Sequence, residues 1–551
     1  MIHRRNFLKT VSLGAVNTVL PQASQSALPP SSPTGKPNIL VVISDQHRAG
    51  MTKLSGYPLD TSPALDRLAK QGVVFDRAYC TEPVCSPSRT SLLTGRWPHA
   101  HRVRQNAGLA QAFFEKDVID VVNSLGYKTG MSGKNHTYLK PEKLDFWREY
   151  DDLRGWQPPN PPKEIVEFDN WRRMLNFAVS MVPTPFPLEA QFPYRIVSSA
   201  MEFLDRFGDQ PFFLEVSFPE PHDPEQVPKP YWDMFPPEQV PGRCVGPEAL
   251  KQKGFTWNWE RDLQEHIYPG FDANWRRYVS NYLGSLRMID DQLARLLQHM
   301  EQNHVLEKTL IVYVADHGDF VMDYGLMRKG VGAPEALARI PMVWSGCGVQ
   351  ARNLHHTAFV SMADVMPTIC EALGADIPHG VQGRSLWPLL EGKDYPEEEF
   401  RSIYAEAGFG GLYYDREDHV PFSVGEFAGV GPYTVPEEDK TFNELNQVSQ
   451  SGYMKMVRMG DWKLLYDMMG YGQLYHLASD PCELKNLFGD PSVAKEQMQL
   501  LEELLMWTVR TQDNLPSSAH PSAFSLATKW PKEHNWFTPY RHGNASRAFI
   551  P

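Results

Sequence analysis

Cysteine is scarce in this chain of 551 residues: Cys80, Cys85, Cys244, Cys347, Cys370 and Cys482 are all there are, and none forms a C-x-x-C pair. That spacing excludes the zinc ribbons and knuckles that paired cysteines would suggest. Long hydrophobic runs are missing too. No later stretch reaches the ~18 apolar residues that a bilayer crossing needs, so no membrane span is expected. Positive charge is in short supply, with 54 Lys and Arg against 66 Asp and Glu and a net charge of -12. Such a field opposes bulk attraction to nucleic acid or anionic membrane, and an anionic substrate would need a local basic pocket. No internal repeat occurs, which excludes solenoids and propellers.

What is present begins with a targeting pattern. Arg4 and Arg5 open the run RRNFLK, an apolar stretch follows from Val11 to Leu20, and Ala, Ser and Pro dominate until Pro37. Residues 1–28 have the character of a twin-arginine export signal, so the twin-arginine machinery is an expected partner. The mature chain is expected to be soluble and periplasmic or secreted. Cargo of that route folds in a reducing compartment and needs no disulfides. Cys80, Cys244, Cys347, Cys370 and Cys482 accordingly read as small buried residues.

The body of the chain alternates strand and helix signals. Asn38 to Ser44 is a continuous apolar, β-branched run, the pattern of a strand buried on both faces, and Phe212–Ser217, Thr309–Ala315 and Pro341–Trp344 resemble it. Helical periodicity spans Pro63–Gln71, Val118–Leu125, Tyr278–Gln302 and Met362–Leu373. The order predicts an α/β fold, a large doubly wound, mostly parallel sheet over residues 36–395. From 396 to 516 the segments Tyr453–Arg458, Trp462–Tyr466 and Gln473–Leu477 are short and alternating, and a helix follows over Ser492–Arg510. They predict a smaller C-terminal α+β subdomain with an antiparallel sheet, and residues 517–551 an irregular tail.

Two of the strands end in polar residues. The first runs into Asp45-Gln46, and the strand at 309–315 runs into Asp316-His317-Gly318-Asp319. Ligands of open α/β sheets bind beyond the carboxyl ends of strands. The pattern therefore converges oxygen and nitrogen donors on one crevice, as a hard divalent cation requires. The most specific string is Cys85-Ser86-Pro87-Ser88-Arg89, continuing as TSLLTGRWPH. Pro87 suits the first turn of a helix starting near Ser86. The N–H groups exposed at that helix terminus suit an anion, with Arg89 as a cationic fork beside it.

The string resembles the signature of the type I, formylglycine-dependent sulfatases of the alkaline phosphatase superfamily. Further segments fit that family: Gly126-Tyr127-Lys128-Thr129 with Gly133-Lys134-Asn135-His136, Pro221-His222-Asp223-Pro224, Lys329-Gly330, Gly383 to Leu390, and Gly460 to Leu465. The resemblance spans roughly residues 36 to 510, and it is weakest over 141–210 and 225–275.

It implies that Cys85 is converted to formylglycine (3-oxoalanine) by a formylglycine-generating enzyme and hydrated to a diol nucleophile. Ca²⁺ is implied at Asp45, Gln46, Cys85, Asp316 and His317. Gln46 stands where many relatives carry an acid, and His317 is a softer ligand, which leaves Mn²⁺ or Mg²⁺ open. The implied roles are Arg89 holding the diol, Asp316 helping to deprotonate it, and Lys134 and Lys329 offsetting sulfuryl charge. His222 would protonate the leaving alcohol, and His136 would take the proton that releases sulfate.

Arg104 and Asn106, with Arg102, follow the signature helix and are candidate substrate contacts. Trp147, Trp156, Trp171, Phe177, Phe186, Phe192, Trp257, Trp259 and Trp275 are candidate sugar platforms, though aromatic residues more often fill cores. Export together with these residues points to a sulfated polysaccharide or oligosaccharide as substrate. Two alternatives stay open, a phosphonate or phosphate ester hydrolase of the same superfamily and a noncatalytic sulfoglycan-binding protein.

Overall fold

The computed structural model describes residues 36–512 except 107, 176–177, 411–412 and 419–450. The expected signal at 1–28, the tail at 517–551 and the candidate platform Phe177 lie outside the described residues.

A nine-stranded sheet forms the centre. Its strands are β1 (Asn38–Asp45), β2 (Gly72–Tyr79), β3 (Lys128–Lys134), β4 (Phe146–Tyr150), β5 (Phe212–Pro221), β6 (Thr309–Ala315), β7 (Arg339–Ile340), β8 (Met342–Gly346) and β9 (Leu354–Ser361). They run in the order β4-β3-β5-β1-β6-β8-β2, with β7 and β9 also pairing β2. The strands β4, β3, β5, β1 and β6 are mutually parallel, while β8 is antiparallel to β6 and β2. Along β1, Ile39, Val41 and Ile43 enter one core and Leu40 and Val42 the other. Because side chains alternate across a strand, a run that is apolar at every position needs cover on both faces. That explains the doubly wound form.

Among its helices are α1 (Pro63–Lys70), α2 (Cys85–Thr94), α3 (Val118–Ser124), α4 (Phe192–Phe207), α5 (Trp275–Gln302) and α6 (Val365–Ala372). All ten residues of α2 are buried. It begins after the extended Val84 and ends at Gly95, whose φ of 64° belongs to the left-handed region that glycine tolerates. A Cβ there would meet Val381 at 2.8 Å.

A four-stranded antiparallel sheet, β10 (Ser402–Ala407), β11 (Met454–Met459), β12 (Trp462–Asp467) and β13 (Gly472–His476), forms the smaller unit with α7 (Ala494–Gln512). Its core of Tyr404, Val457, Leu464, Leu474, Leu504 and Trp507 closes over Trp97. The backbone N–H of Glu406 donates to Thr81 O (2.8 Å), bringing β10 alongside the chain that leads into α2.

One expectation is corrected. Cys244 and Cys482, read as separate buried thiols, form a disulfide across 238 residues, and Cys244 is exposed. The loop at 240–250 folds onto the turn after β13, a proximity that no local pattern carries. Cys80, Cys347 and Cys370 are buried free thiols as expected. Trp171, Phe186 and Phe192 interlock with Phe168, and Trp257 packs on Phe320 and Tyr324, so these aromatics serve the core.

Candidate active site

β1 and β6 are neighbours, with Ser44 opposite Ala315, so Asp45 and Asp316 emerge side by side at the carboxyl edge. Cys85 enters the same space as the first residue of α2. Donor atoms of Asp45, Cys85, Asp316 and His317 all lie within 4.8 Å of one another, and all four residues are buried. The Nδ1 of His317 is 2.8 Å from Gly318 O. A carbonyl only accepts, so Nδ1 donates to it and Nε2 faces inward, 3.2 Å from Cys85 Sγ.

Arg89, one turn along α2, ties together the ends of four strands, β1, β3, β5 and β6. Its Nε donates to Asp316 Oδ2 (2.7 Å), Nη2 to Asp45 Oδ2 (3.2 Å), and Nη1 to Ser217 Oγ (2.8 Å) and Lys134 O (2.9 Å). Lys134, the last residue of β3, places Nζ 2.5 Å from Asp45 Oδ2 and 2.5 Å from Asp152 Oδ1. Burial works against the charge on Asp45, yet Lys134 and Arg89 outweigh it and hold its carboxyl well below the usual range. Lys329 Nζ is 3.0 Å from Cys85 Sγ and 3.1 Å from Gln46 Oε1. Burial and Asp45 push the Cys85 thiol up, but Lys329, Lys134 and His317 prevail and bring it well below its ordinary value. The pocket at Cys85 is thus built for an anionic oxygen or sulfur.

His222 follows β5. Its Nδ1 lies 3.0 Å from its neighbour's carbonyl, Asp223 O, which directs Nε2 outward. Asp152 Oδ1 is 3.7 Å from the same ring nitrogen. His136 adopts a left-handed φ of 46° just beyond β3.

Gln46 also has positive φ, 67°. Its backbone N–H donates to Asp316 Oδ1 (2.9 Å), and its side-chain Nε2 reaches Asp319 Oδ2 at 2.6 Å and Asp223 Oδ1 at 3.4 Å. Burial, with Asp223 nearby, pushes Asp319 up to about 6.

The structure therefore gathers Asp45, Gln46, Cys85, Arg89, Lys134, Asp316, His317 and Lys329 at one edge, with His222 joined to them through Asp152. The three expected substrate contacts are engaged otherwise, Arg102 lying over the Phe113 ring at 4.6 Å. Arg104 donates to Gly408 O (2.8 Å), pairs with Glu406 (3.4 Å) and lies over the Tyr453 ring, in the junction with the smaller sheet. Asn106 Oδ1 accepts the N–H of Ser86 (3.1 Å), securing the first turn of α2.

Asp152 escaped the sequence reading. It lies two residues past Tyr150, the parallel-register partner of Lys134, so β4 delivers it there. The only sequence cue was an acidic pair, Asp151-Asp152, closing an alternating segment. Asp223 sat unassigned beside His222.

The donors fit a divalent cation: two buried carboxylates, an amide oxygen and one imidazole whose Nε2 faces inward. Cys85 Sγ marks where an oxygen on the modified side chain would sit.

Known proteins with this architecture are enzymes of related chemistry. The chain is 26% identical to a choline-sulfatase of Rhizobium meliloti over 489 residues, 85% of each chain. It is 23% identical to an N-acetylglucosamine-6-O-sulfatase of Bacteroides thetaiotaomicron, covering 92% of this chain and 93% of that one. A solved phosphonate monoester hydrolase of Agrobacterium radiobacter superposes with a TM-score of 0.67 at 23% identity, over 86% of this chain and 96% of that one. The family model Sulfatase matches residues 37–375, more than half of the chain, and the protein belongs to the sulfatase family of sulfuric ester hydrolases.

Proposed function

We propose that this sulfatase removes sulfate from a sulfated polysaccharide or oligosaccharide, with formylglycine made from Cys85 as nucleophile and a divalent cation, Ca²⁺, at Asp45, Gln46, Asp316 and His317. The observation that carries the reading is the setting of Cys85. Its Sγ stands at a helix N-terminus, 3.0 Å from Lys329 Nζ and 3.2 Å from His317 Nε2, inside the buried donor cluster. A hydrated aldehyde there would supply an oxygen nucleophile, and the cation would offset charge on the sulfuryl oxygens.

The chain's own residues do the rest. Arg89 holds Asp45 and Asp316 in place and leaves no uncompensated carboxylate behind the nucleophile. Asp316 accepts the proton of the attacking hydroxyl. Lys134 and Lys329 meet the sulfuryl oxygens from two sides, where charge grows as sulfur is attacked. His222 presents Nε2 to the leaving alcohol and gives it a proton, and His136 takes the proton whose removal releases sulfate.

The sugar is supported by the N-acetylglucosamine-6-O-sulfatase relative. Export by the twin-arginine route and maturation by a formylglycine-generating enzyme belong to the same proposal. Among the described residues no helix is long and apolar enough to cross a membrane, which accords with it.

The test is peptide mass spectrometry on Cys85 after co-expression with a formylglycine-generating enzyme, followed by turnover of sulfated sugars and choline sulfate. An aldehyde at Cys85, sugar desulfation, and at least a ~10⁴-fold loss in Cys85→Ala are expected. Full activity in Cys85→Ala would sink the scheme.

A second reading, phosphonate or phosphate monoester hydrolysis, is favoured by one feature, the neutral amide of Gln46 in the cation shell. Matched sulfate and phosphonate esters of one alcohol decide between the two by their kcat/KM ratio.

A further inference from the structure

A side-chain amide has an accepting end and a donating end, and only the accepting end can face a cation. At Gln46 both ends are dictated. Nε2 lies 2.6 Å from Asp319 Oδ2 and 3.4 Å from Asp223 Oδ1, and carboxylates accept. Oε1 lies 3.1 Å from Lys329 Nζ, which can only donate. The partners are themselves held. Asp319 Oδ1 takes the N–H of Val321 at 2.5 Å, and Tyr278 OH donates to the same carboxylate at 3.1–3.2 Å. Asp223 Oδ2 pairs with Arg328 Nε at 3.0 Å. The Gln46 backbone is fixed as well, by Asp316 on its N–H and by Tyr282 OH on its carbonyl, 2.7 Å away.

We infer that Asp319, backed by Asp223, is a positioning residue that holds the Gln46 carbonyl oxygen toward the cation and makes an amide, not a carboxylate, the side chain tolerated at position 46. The inference rests on the reading of Asp45, Asp316 and His317 as cation ligands. A carboxylate at 46 would set one anionic oxygen about 2.6 Å from another, the distance now spanned by a hydrogen bond. Asp223 would then add like charge with no donor between them.

The consequences can be read from the hydrogen bonds. In Asp319→Asn the amide oxygen stays with the Val321 N–H, so the new NH₂ group faces Gln46 donor to donor. Gln46 must turn over and present its NH₂ group to the cation and Lys329. Gln46→Glu alone creates the carboxylate clash. The double variant Gln46→Glu/Asp319→Asn reverses the polarity of the same hydrogen bond: the introduced asparagine donates, and the introduced glutamate keeps one oxygen toward the cation.

The experiment is Ca²⁺ titration by calorimetry of chelator-stripped wild type, both single variants and the double variant, with a thermal melt of each as fold control. Wild type is expected to bind one Ca²⁺. Each single variant should bind at least ~10-fold more weakly, the scale of outer-shell effects on metal affinity. The double variant should return to within about threefold of wild type, a recovery that a merely structural role for Asp319 would not produce. Wild-type affinity in Asp319→Asn, or a folded double variant as weak as the weaker single, would overturn the inference. If Asp319→Asn fails to fold, the double variant decides alone. A folded wild type that binds no Ca²⁺ would instead remove the cation reading itself, and the inference with it.

Discussion

Two buried lysines in this molecule each sit between two carboxylates. Lys134 Nζ is 2.5 Å from both Asp45 and Asp152 at the carboxyl edge of the large sheet. Lys463 Nζ, on β12, is 3.1 Å from Glu335 and 2.9 Å from Glu483, where the small sheet meets the large unit. What lies beyond the carboxylates separates them. At Lys463 both carboxylates are held by further partners, because Arg458 and Tyr79 also bind Glu335 and the second Glu483 oxygen takes the Glu335 N–H. Every charge has a permanent partner, and the cluster works as a joint. Exposure does not separate the two, since Asp152 keeps 19% of its side chain exposed and Glu335 15%, but at Lys134 the other carboxylate, Asp45, belongs to the buried donor cluster around Cys85. The same three-charge unit joins the two sheets at Lys463 and stands against the buried donor cluster at Lys134.

That contrast sets the mutations worth making. The largest effect is expected from Lys134→Ala, a loss of roughly 10²–10³ in kcat, the scale of removing one donor to a developing oxyanion. A drop of less than threefold in single-turnover rate on a sulfated sugar would erase the distinction. Lys463→Met should do the reverse. Breaking a buried ion pair costs about 3–5 kcal/mol, so denaturant melts should shift strongly while kcat per folded molecule stays within about twofold. Reduction of Cys244–Cys482, or Cys244→Ser, should also spare kcat and lower stability by about 2–4 kcal/mol, since the bond closes a long loop across the same joint.

The smallest effect is in pH. Against the upward push of burial, Lys463 and Arg458 bring Glu335 from 4.5 to about 2. A carboxyl with a lowered folded value contributes stability that is complete above pH 4.5 and fades as pH falls toward 2. Melting curves between pH 3 and 6 should show a drop of a few degrees on the acid side, smaller in Lys463→Met.

How much of this was legible beforehand differed by segment. β1, β6 and the helix at 275–302 declared themselves through apolar runs and periodicity, because burial on known faces writes a regular pattern. β3 did not. Lys-Thr-Gly-Met-Ser-Gly-Lys has poor strand character; it becomes a strand because β4 and β5 pair with it on both sides. Gly133 lets it approach so closely that a Cβ would lie 1.8 Å from Ser217 O.

The site residues supplied by motif, such as Cys85, Arg89, Lys134 and Lys329, come together in the crevice. Arg104 did not follow, because its guanidinium is claimed by Glu406 and Gly408, far along the chain, and nothing local announces such a claim. Asp152 was hidden for a related reason: its importance comes from strand register, which joins residues far apart in sequence. The pairing of Cys244 with Cys482 belongs to the same class.

The burial of α2 has a consequence for the order of events in the life of the chain. Cys85 is 1% exposed, with buried residues along the whole of the helix that follows it. No second protein can close around that side chain once the large sheet and its helices have assembled. An enzyme that oxidises the thiol must therefore reach it while this stretch is still extended, ahead of folding and ahead of any export route that carries finished folds. Folding speed and oxidation speed compete, and a chain that folds first is sealed with a thiol it cannot later exchange. If Cys85 is converted as proposed, the converted fraction in purified protein records that race, and slowing the folding of the chain should raise it.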